Sequence, residues 1–351
     1  MSTSVGALGS GEGGGVELTV QNLVRELVVR GHQLEVVAPQ GSWLTDITVT
    51  KIEGKLQIPV QTQSRDVPFC LPDNSVLANM WSYARQVQEK YDLIVNFAFD
   101  WLPFYLTPFL TTPVAHFISM GSMTDASDRI MQQIIAQYPG TFGVYTQAQA
   151  DTFPFGDRCE ILGSAIDLSL YRFNPDPGES LAWLGRIAPE KALEDAVAAA
   201  RLTGTALKIM GKIQDRPYWN KICRDFADAP LEYLGFLDTE QLQQELGKCR
   251  ALLMTPRWIE AFGNVAIEAL ACGVPIIAYR RGGPGEIVRE GQTGFLVEPD
   301  NVEELAAAIA KISTLERRNC RQQAETAYSL SALGDRFEDW FNRIVAERTK
   351  L

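Results

Sequence analysis

The most informative stretch of this 351-residue chain is Arg257-Trp258-Ile259-Glu260-Ala261-Phe262-Gly263-Asn264-Val265-Ala266-Ile267-Glu268-Ala269-Leu270-Ala271-Cys272-Gly273-Val274-Pro275. Its pattern predicts a loop that follows a strand and leads into a helix at Gly263. Glu260 falls in the loop, and Glu268 is expected about two turns along the helix. A carboxylate can accept two hydroxyls of a sugar, and free N–H groups at a helix start suit a phosphate. The alternative is that both glutamates are solvated helix-end charges.

A second segment supplies positive charge. It is Leu184-Gly185-Arg186-Ile187-Ala188-Pro189-Glu190-Lys191, in which a predicted strand ends at a glycine and two cations follow. Arginine offers a planar fork of donors for phosphate oxygens, and lysine offers a mobile point charge. Arg186 and Lys191 can therefore converge on one diphosphate. The alternative is an ordinary surface turn that carries two cations.

The chain begins with a glycine-rich loop. The glycines up to Gly15 are followed by apolar residues at helical spacing, which predict an amphipathic helix that ends at Gly31. Gly14 and Gly15 would let the backbone approach a ligand at the start of this helix, although a flexible loop is the alternative. A predicted strand, residues 33–38, follows this helix. A glycine loop, a helix and a strand in this order form the second half of a βαβ unit, whose first strand would precede Ser2. We therefore expect that Met1 lies about 8 to 12 residues inside the natural protein.

Short apolar strands alternate with longer helical patterns along the whole chain, which predicts an α/β protein with parallel sheets. The predicted strands of the first half are residues 33–38, 48–52, 92–97, 113–118, 142–145 and 160–162. Those of the second half are residues 181–184, 207–210, 231–234, 251–254 and 275–279. The predicted helices of the second half are residues 190–202, 218–227, 239–247 and 264–271.

Two doubly wound, Rossmann-like domains follow from this pattern. Residues 174–178, Asn-Pro-Asp-Pro-Gly, have the composition of a linker. We therefore predict domains at residues 1–173 and 174–329. Residues 330–348 form an amphipathic pattern, and we expect the C-terminal segment, 330–351, to pack back toward the first domain.

Composition excludes several classes of protein. With 46% hydrophobic and 21% charged residues, the chain is neither disordered nor fibrous, and no apolar run reaches the roughly 20 residues of a membrane span. A net charge of −11 disfavours a nucleic acid partner. The six cysteines lack metal-ligand spacing, so we expect buried, reduced thiols. With no signal-peptide pattern at Met1, these features predict a cytoplasmic protein.

These motifs resemble those of the retaining nucleotide-sugar glycosyltransferases with the GT-B fold, specifically glycosyltransferase family 4. Glu260 and Glu268 match the paired glutamates of that family, and Arg186 and Lys191 match its diphosphate pair. Residues 13–17 and 31–32 match its first loop and helix, and residues 282–286 and 291–297 match its C-terminal loop. The resemblance implies two domains that face each other across a cleft and the transfer of a hexose, such as glucose from UDP-glucose. No metal is expected, since no Asp-x-Asp signature occurs.

The resemblance also implies roles for individual residues. Glu268 would hold the donor ribose, and Glu260 would hold hydroxyls of the donor sugar. The remaining donor-binding residues would be Gly14, Gly15, Arg186, Lys191, Phe262, Gly263, Asn264 and Val265, with Gly235, Phe236 and Leu237 at the base. The expected catalytic residues are Glu260, Arg186, Lys191 and His116.

The acceptor side departs from the family pattern. The family carries a histidine at the end of a strand of the first domain, where this chain has Ser119, and His116 lies three residues earlier. His116 is therefore either a substitute base or a residue of the core. The expected acceptor-side residues are Gly13, Glu17, Trp101, His116 and Ser119.

Two segments suggest an acceptor. Residues 5–11 and 115–122 look similar to those of bacterial UDP-glucose:tetrahydrobiopterin glucosyltransferases, which transfer glucose to a reduced pterin. A sugar, a lipid or another small molecule is the alternative acceptor. A non-catalytic nucleotide-sugar-binding module is a second class of function, but its expected loss of a cation or a glutamate is not seen. A dehydrogenase is disfavoured because the second strand ends in Ala38-Pro39-Gln40, without an acidic ribose ligand.

Overall fold

The computed structural model describes residues 1–10, 14–45 and 47–348. The chain divides into two α/β units. The first unit contains Met1–Ser164 and the chain from Leu333 onward, and the second contains Ala165–Ala332.

The first unit is built on two parallel sheets. Its strands are β1 (Val36–Pro39), β2 (Val49–Ile52), β3 (Ile94–Asn96), β4 (Val114–Phe117), β5 (Phe142–Val144) and β6 (Glu160–Ile161). β1 pairs with β2, while β3 to β6 form a four-stranded sheet in chain order. Its helices are α1 (Gly15–Val29), α2 (Val76–Val87), α3 (Trp101–Leu106), α4 (Asp125–Gln137) and α5 (Gln147–Ala150).

Met1 and Ser2 lie between these two sheets. The Ser2 N–H donates to the carbonyl of Val37 at 2.9 Å, and the Phe97 N–H donates to the carbonyl of Met1 at 3.0 Å. We predicted the first strand of the doubly wound sheet before Ser2, whereas Met1 and Ser2 themselves make these contacts. The expectation about residues before Met1 stays a prediction.

The second unit contains a six-stranded parallel sheet in the order β9-β8-β7-β10-β11-β12. Its strands are β7 (Leu181–Leu184), β8 (Leu207–Met210), β9 (Leu231–Gly235), β10 (Ala251–Met254), β11 (Ile276–Tyr279) and β12 (Gly294–Val297). Its helices are α6 (Leu193–Thr203), α7 (Arg216–Asp225), α8 (Thr239–Gly247), α9 (Asn264–Cys272), α10 (Pro284–Ile287), α11 (Val302–Lys311) and α12 (Arg317–Ala327). Every residue of β10 and β11 is buried, as expected for central strands covered by helices on both faces.

The last helix, α13 (Leu330–Arg348), has the predicted range. Its apolar face is buried in the first unit, where the rings of Phe117 and Phe337 lie 5.3 Å apart. The indole N–H of Trp340 donates to the carbonyl of Gly140 at 2.7 Å. The guanidinium of Arg336 donates to the carbonyl of Leu162 at 2.6 Å. Aromatic packing and these hydrogen bonds therefore fix the helix on this unit.

The eleven predicted strands are all present, and their ends differ from the predicted ones by at most three residues. Three predictions of secondary structure were wrong, and one of them concerns residues 282–286, which we assigned to a loop and which overlap α10. Residues 294–297, which we assigned to a loop, form β12 beside β11, and a side chain at Gly294 would place its Cβ only 2.1 Å from the carbonyl oxygen of Ile276. The single helix expected over residues 190–202 is interrupted at Ala192, whose φ of 44° is left-handed.

The division between the units comes before residues 174–178, the Pro-rich segment. The Ile166 N–H donates to the carbonyl of Tyr328 at 2.9 Å, and the Asn174 N–H donates to the carbonyl of Cys272 at 3.1 Å. Residues 165–173 are therefore bound to the second unit, although the composition placed the boundary at Asn174.

The six cysteines are free thiols, but not all of them are buried as predicted. Cys249, Cys272 and Cys320 are buried, whereas Cys70 and Cys223 are exposed. Among the helices of the described residues, none combines the length and the apolar character that crossing a membrane demands.

A buried cation ties the Pro-rich segment to the second unit. The side chain of Arg317 is 7% exposed and donates to three backbone carbonyls: Asn174 at 2.7 Å, Gly247 at 2.7 Å and Cys249 at 2.9 Å. Removal of the guanidinium would take this donor from the carbonyls of Asn174 and Cys249, whereas the Gly247 carbonyl also accepts from the Asn174 amide at 3.0 Å. The loss of buried donors is costly.

We therefore expect Arg317→Met to lower the free energy of unfolding by about 3 kcal/mol. The exposed neighbour Arg318→Met is the matched control and should change it by less than about 0.5 kcal/mol. Urea unfolding of the full chain measures both values. Equal stability of the two variants would contradict this account of Arg317.

Candidate active site

The predicted donor residues lie where the strand order of the second unit reverses. β7 lies between β8 and β10, so the loops that leave β7 and β10 run toward opposite faces of the sheet. Such a reversal opens a crevice at the carboxyl ends of the strands. The loop after β7 carries Arg186 and Lys191, and the loop after β10 carries Glu260.

Thr255 joins these two loops. Its hydroxyl lies 2.8 Å from the carbonyl oxygen of Ala192 and 3.2 Å from that of Lys191, and its side chain is 1% exposed. The Arg257 N–H donates to the carbonyl of Glu190 at 2.9 Å. Thr255 was not among the predicted site residues, although a polar residue directly after a buried strand was the available signal.

Arg257 adds a charged link between the loop after β10 and the start of α6. Its guanidinium lies 2.8 Å from Glu194 and 3.2 Å from Asp195. The Tyr279 hydroxyl donates to Asp195 at 2.8 Å. Burial is the main cause of the raised pKa of Asp195, and the Tyr279 hydrogen bond and Arg257 oppose it. This network, which we did not predict, holds the loop in place from its outer side.

Lys191 and Glu260 are in direct contact. The Lys191 ammonium forms an ion pair with Oε2 of Glu260, and these side chains are 19% and 17% exposed. The Trp258 indole N–H donates to the same Oε2 at 3.0 Å, and the ammonium lies 4.9 Å from the centre of the Trp258 ring. Oε1 of Glu260 has no hydrogen-bond partner within residues 1–10, 14–45 and 47–348. One carboxylate oxygen is thus available to a ligand.

Arg186 lies apart from this contact. Its guanidinium donates to Gln214 and lies 3.2 Å from the carboxylate of Glu190. The side chain is 42% exposed. The structure therefore brings Lys191, but not Arg186, to the first glutamate of the pair.

A glycine turn supports the Glu260 loop from the side of β11. The Gly283 N–H donates to the carbonyl of Glu260 at 2.7 Å. A Cβ at Gly282 would lie 2.5 Å from that same oxygen, and the φ of Gly282 is 67°. Only glycine allows this approach without strain.

The start of α9 presents N–H groups. Gly263, with φ of 92°, precedes the helix, and Phe262 is buried edge-to-face against Tyr328. In the described part of the chain, the N–H groups of Asn264 and Val265 have no acceptor, as expected in a first helical turn. This arrangement suits an anion or a sugar hydroxyl.

Glu268 is the fifth residue of α9, about one turn from its start, so the predicted distance of two turns was too long. Its carboxylate accepts a hydrogen bond from the Tyr171 hydroxyl at 3.2 Å. Burial raises the pKa of Glu268 to about 7, and the Tyr171 bond opposes that rise. The site therefore contains a carboxyl group that titrates near neutral pH.

The residues predicted for the base lie at the end of β9. Gly235 has φ of 74°, and open space lies where its Cβ would point. Phe236 is 66% exposed, and the Lys212 ammonium lies 4.7 Å from its ring centre. Leu237 is partly buried. The Gly211 N–H donates to the carbonyl of Gly235 at 2.7 Å, which ties the loop after β8 to the end of β9.

His116 is a core residue, so its predicted catalytic role was wrong. The side chain is 0% exposed, and its ring packs between Phe104 and Phe142. Asn96 Nδ2 lies 3.1 Å from Nδ1, and the Thr107 hydroxyl lies 2.9 Å from Nε2. Burial lowers the pKa of His116 to about 3. Both ring nitrogens are occupied by neighbours, and a buried neutral ring cannot reach an acceptor.

The other predicted residues of the first unit are dispersed. Gly14 and Gly15 are exposed at the start of α1, and Gly13 lies outside the described residues. Glu17 is 4% exposed and accepts a hydrogen bond from the Gly9 N–H at 3.0 Å, so it supports the first loop. Ser119 is partly exposed in the loop after β4.

Four aromatic side chains form a row centred on α3. Trp101 stacks on Phe69 with 5.3 Å between ring centres and on Tyr105 with 4.6 Å. The ring centres of Tyr105 and Phe109 lie 5.5 Å apart, and these two side chains are 44% and 62% exposed. We use "aromatic row" below for Phe69, Trp101, Tyr105 and Phe109.

Two segments of the chain match family models of known proteins, and its fold is similar to that of solved structures. Residues 173–329 match the family model of "Glycosyl transferases group 1", and residues 13–118 match that of "Glycosyltransferase Family 4". The fold is similar to that of Anabaena HepE in complex with UDP and glucose, with a TM-score of 0.73, 17% identity and coverage of 95% of this chain and 97% of that one. It is also similar to sucrose-phosphate synthase from Thermosynechococcus elongatus, with a TM-score of 0.75, 19% identity and coverage of 95% and 94%.

A curated relative matches the sequence over part of its length. D-inositol 3-phosphate glycosyltransferase of Rhodococcus erythropolis is 33% identical over 186 residues, which cover 46% of this chain and 42% of the relative. The match thus spans less than half of the relative. The fold is therefore that of GT-B glycosyltransferase structures, and residues 13–118 and 173–329 each match a glycosyltransferase family model.

The raised pKa of Glu268 predicts a dependence of stability on pH. The folded state favours the protonated carboxyl, so its contribution to stability is complete below about pH 4.5 and is lost as pH rises through about 7. We expect Glu268→Gln to match the wild type near pH 4.5 and to be more stable by about 2 kcal/mol near pH 8. Urea unfolding at both pH values measures this difference. The exposed Glu240→Gln is the control, and an identical pH profile for both variants would contradict the prediction.

Proposed function

We propose that the chain is a retaining, metal-independent hexosyltransferase that moves glucose from UDP-glucose to a small acceptor. The observation that carries the proposal is the contact between Lys191 and Glu260 at the strand-order reversal. A cation for a diphosphate and a carboxylate for sugar hydroxyls are thereby placed side by side. The two matched glycosyltransferase domains support the same class of reaction.

The charges of this site suit cleavage of a glycosidic bond. Negative charge grows on the leaving diphosphate as the bond breaks, and preplaced cations stabilise it. Lys191 would bind that diphosphate, and Arg186 would join it by leaving its exposed contacts. The N–H groups of Asn264 and Val265 would add donors at the start of α9. Two cations and a helix start could balance this charge without a metal ion.

Carboxylates would hold the sugars. Oε1 of Glu260 would accept a hydroxyl of the donor hexose. Glu268 would accept ribose hydroxyls in its ionised form, and Gly235, Phe236 and Leu237 would flank the base. The relative solved with UDP and glucose supports UDP-glucose as the donor to test first.

A reduced pterin, such as tetrahydrobiopterin, is the acceptor we propose. The aromatic row offers planar faces on which a flat ring could stack. Trp101 is therefore the acceptor-side residue that we favour, together with Ser119. His116 is no longer a candidate for the base, and attack on the face of the leaving group would preserve the anomeric configuration. We expect the reaction in the cytoplasm, since exposed thiols such as Cys70 and Cys223 persist under reducing conditions.

Loss of either cation should slow the transfer. We expect Lys191→Ala and Arg186→Ala to lower kcat by a factor of about 100, as the loss of one preorganised donor does elsewhere. Arg201→Ala is the matched control because Arg201 is 44% exposed and pairs with Asp228, much as Arg186 pairs with Glu190. Release of UDP under saturating UDP-glucose measures the rates. Wild-type rates in both variants would remove the diphosphate assignment.

Product NMR tests the whole proposal. We expect incubation with UDP-glucose and a panel of acceptors to yield an α-glucosylated pterin, at a rate that a metal chelator leaves unchanged. A glucosylated product of another acceptor would retain the transferase and reject the pterin. Binding of UDP-glucose without any transfer would favour a nucleotide-sugar-binding module.

A further inference from the structure

Trp258 touches both partners of the Lys191–Glu260 ion pair. Its indole N–H donates to Oε2 of Glu260 at 3.0 Å, while its ring lies 4.9 Å from the Lys191 ammonium. We propose that Trp258 is a positioning residue that sets sugar recognition through its N–H and cation placement through its ring face. The inference rests on the proposed function. It concerns Trp258, to which the resemblance to the family assigns no role.

The two contacts of Trp258 serve different parts of a nucleotide sugar. A bound diphosphate competes with Glu260 for the Lys191 ammonium, so the ion pair weakens when the donor enters. Oε2 of Glu260 then still has the indole N–H as a partner, and the carboxylate keeps its orientation. Oε1 therefore stays directed at the sugar hydroxyl. The ring face attracts the ammonium at the same time, and such cation–π contacts strengthen as the site loses water.

The loop after β10, which carries Trp258, is held in place by other residues. Thr255 and Arg257 anchor it to the loop after β7 and to the start of α6. Trp258 itself is only partly buried, and its neighbour Ile259 is 45% exposed. A conservative change at Trp258 therefore leaves the supports of the loop in place, and its effect on ligands can be separated from an effect on folding.

Trp258→Phe separates the two contacts because phenylalanine keeps an aromatic face but lacks the N–H. We expect this variant to bind UDP-glucose about tenfold more weakly, since a hydrogen bond to a charged group is lost. Its affinity for UDP, which has no hexose, should stay within about twofold of the wild type. Trp258→Leu, which also removes the aromatic face, should weaken both ligands. Calorimetry with the full chain measures these affinities, with Trp219→Phe as the control for a partly buried tryptophan of the same unit.

A double mutant tests whether Trp258 acts through Glu260. If it does, Trp258→Phe in a Glu260→Gln background should cause no further loss of UDP-glucose affinity. Equal losses for UDP and UDP-glucose in Trp258→Phe, or additive losses in the double mutant, would overturn the inference. A wild-type chain that binds neither ligand would instead overturn the proposed function.

Discussion

The reversal of strand order between β7 and β10 is the constraint on which the candidate active site depends. Because the chain leaves β7 toward one face of the sheet and leaves β10 toward the other, two loops must begin side by side at one edge. Segments about 70 residues apart in sequence, around Lys191 and Glu260, meet there without a long excursion of the chain. Thr255 fixes the two loops relative to each other, since its hydroxyl donates to the carbonyls of Lys191 and Ala192.

Electrostatics then decide what this crevice can bind. Lys191 and Glu260 are mostly buried, and each is stable there because the other neutralises it. In the proposed function, a ligand with both an anionic group and hydroxyl donors would satisfy the two side chains at once. Glu268 differs, since its partner is the neutral hydroxyl of Tyr171 and burial raises its pKa. The two glutamates of the pair are therefore in different electrostatic states.

Much of the fold could be predicted because its signals are local. Strands and the amphipathic α13 are visible as periodic patterns, and the ends of strands locate the loops that hold Lys191 and Glu260. β12 was missed because its glycine start looks like a turn, and only the close approach to β11 explains that residue.

The site was less predictable where the chemistry depends on distant partners. The sequence cannot show that Asn96 and Thr107 occupy both nitrogens of His116, so a core histidine looked like a base. Thr255, Arg257 and Trp258 were missed for the same reason. Each of them acts through a contact with another loop, and none belongs to a periodic pattern.

If the proposed function holds, the first unit suits a flat, uncharged acceptor better than a phosphorylated one. Arg65 contacts Asp125 and Asp128 at 2.9 Å, and Lys55 contacts Asp73 at 2.6 Å, so these cations are already neutralised by carboxylates. A phosphate would have to break these pairs before it gained Arg65 or Lys55 as a partner. The aromatic row has no such cost, because Tyr105 and Phe109 already expose apolar surface to water. Stacking of a planar ring would remove that surface from water, and burial of apolar area is the dominant favourable term in association.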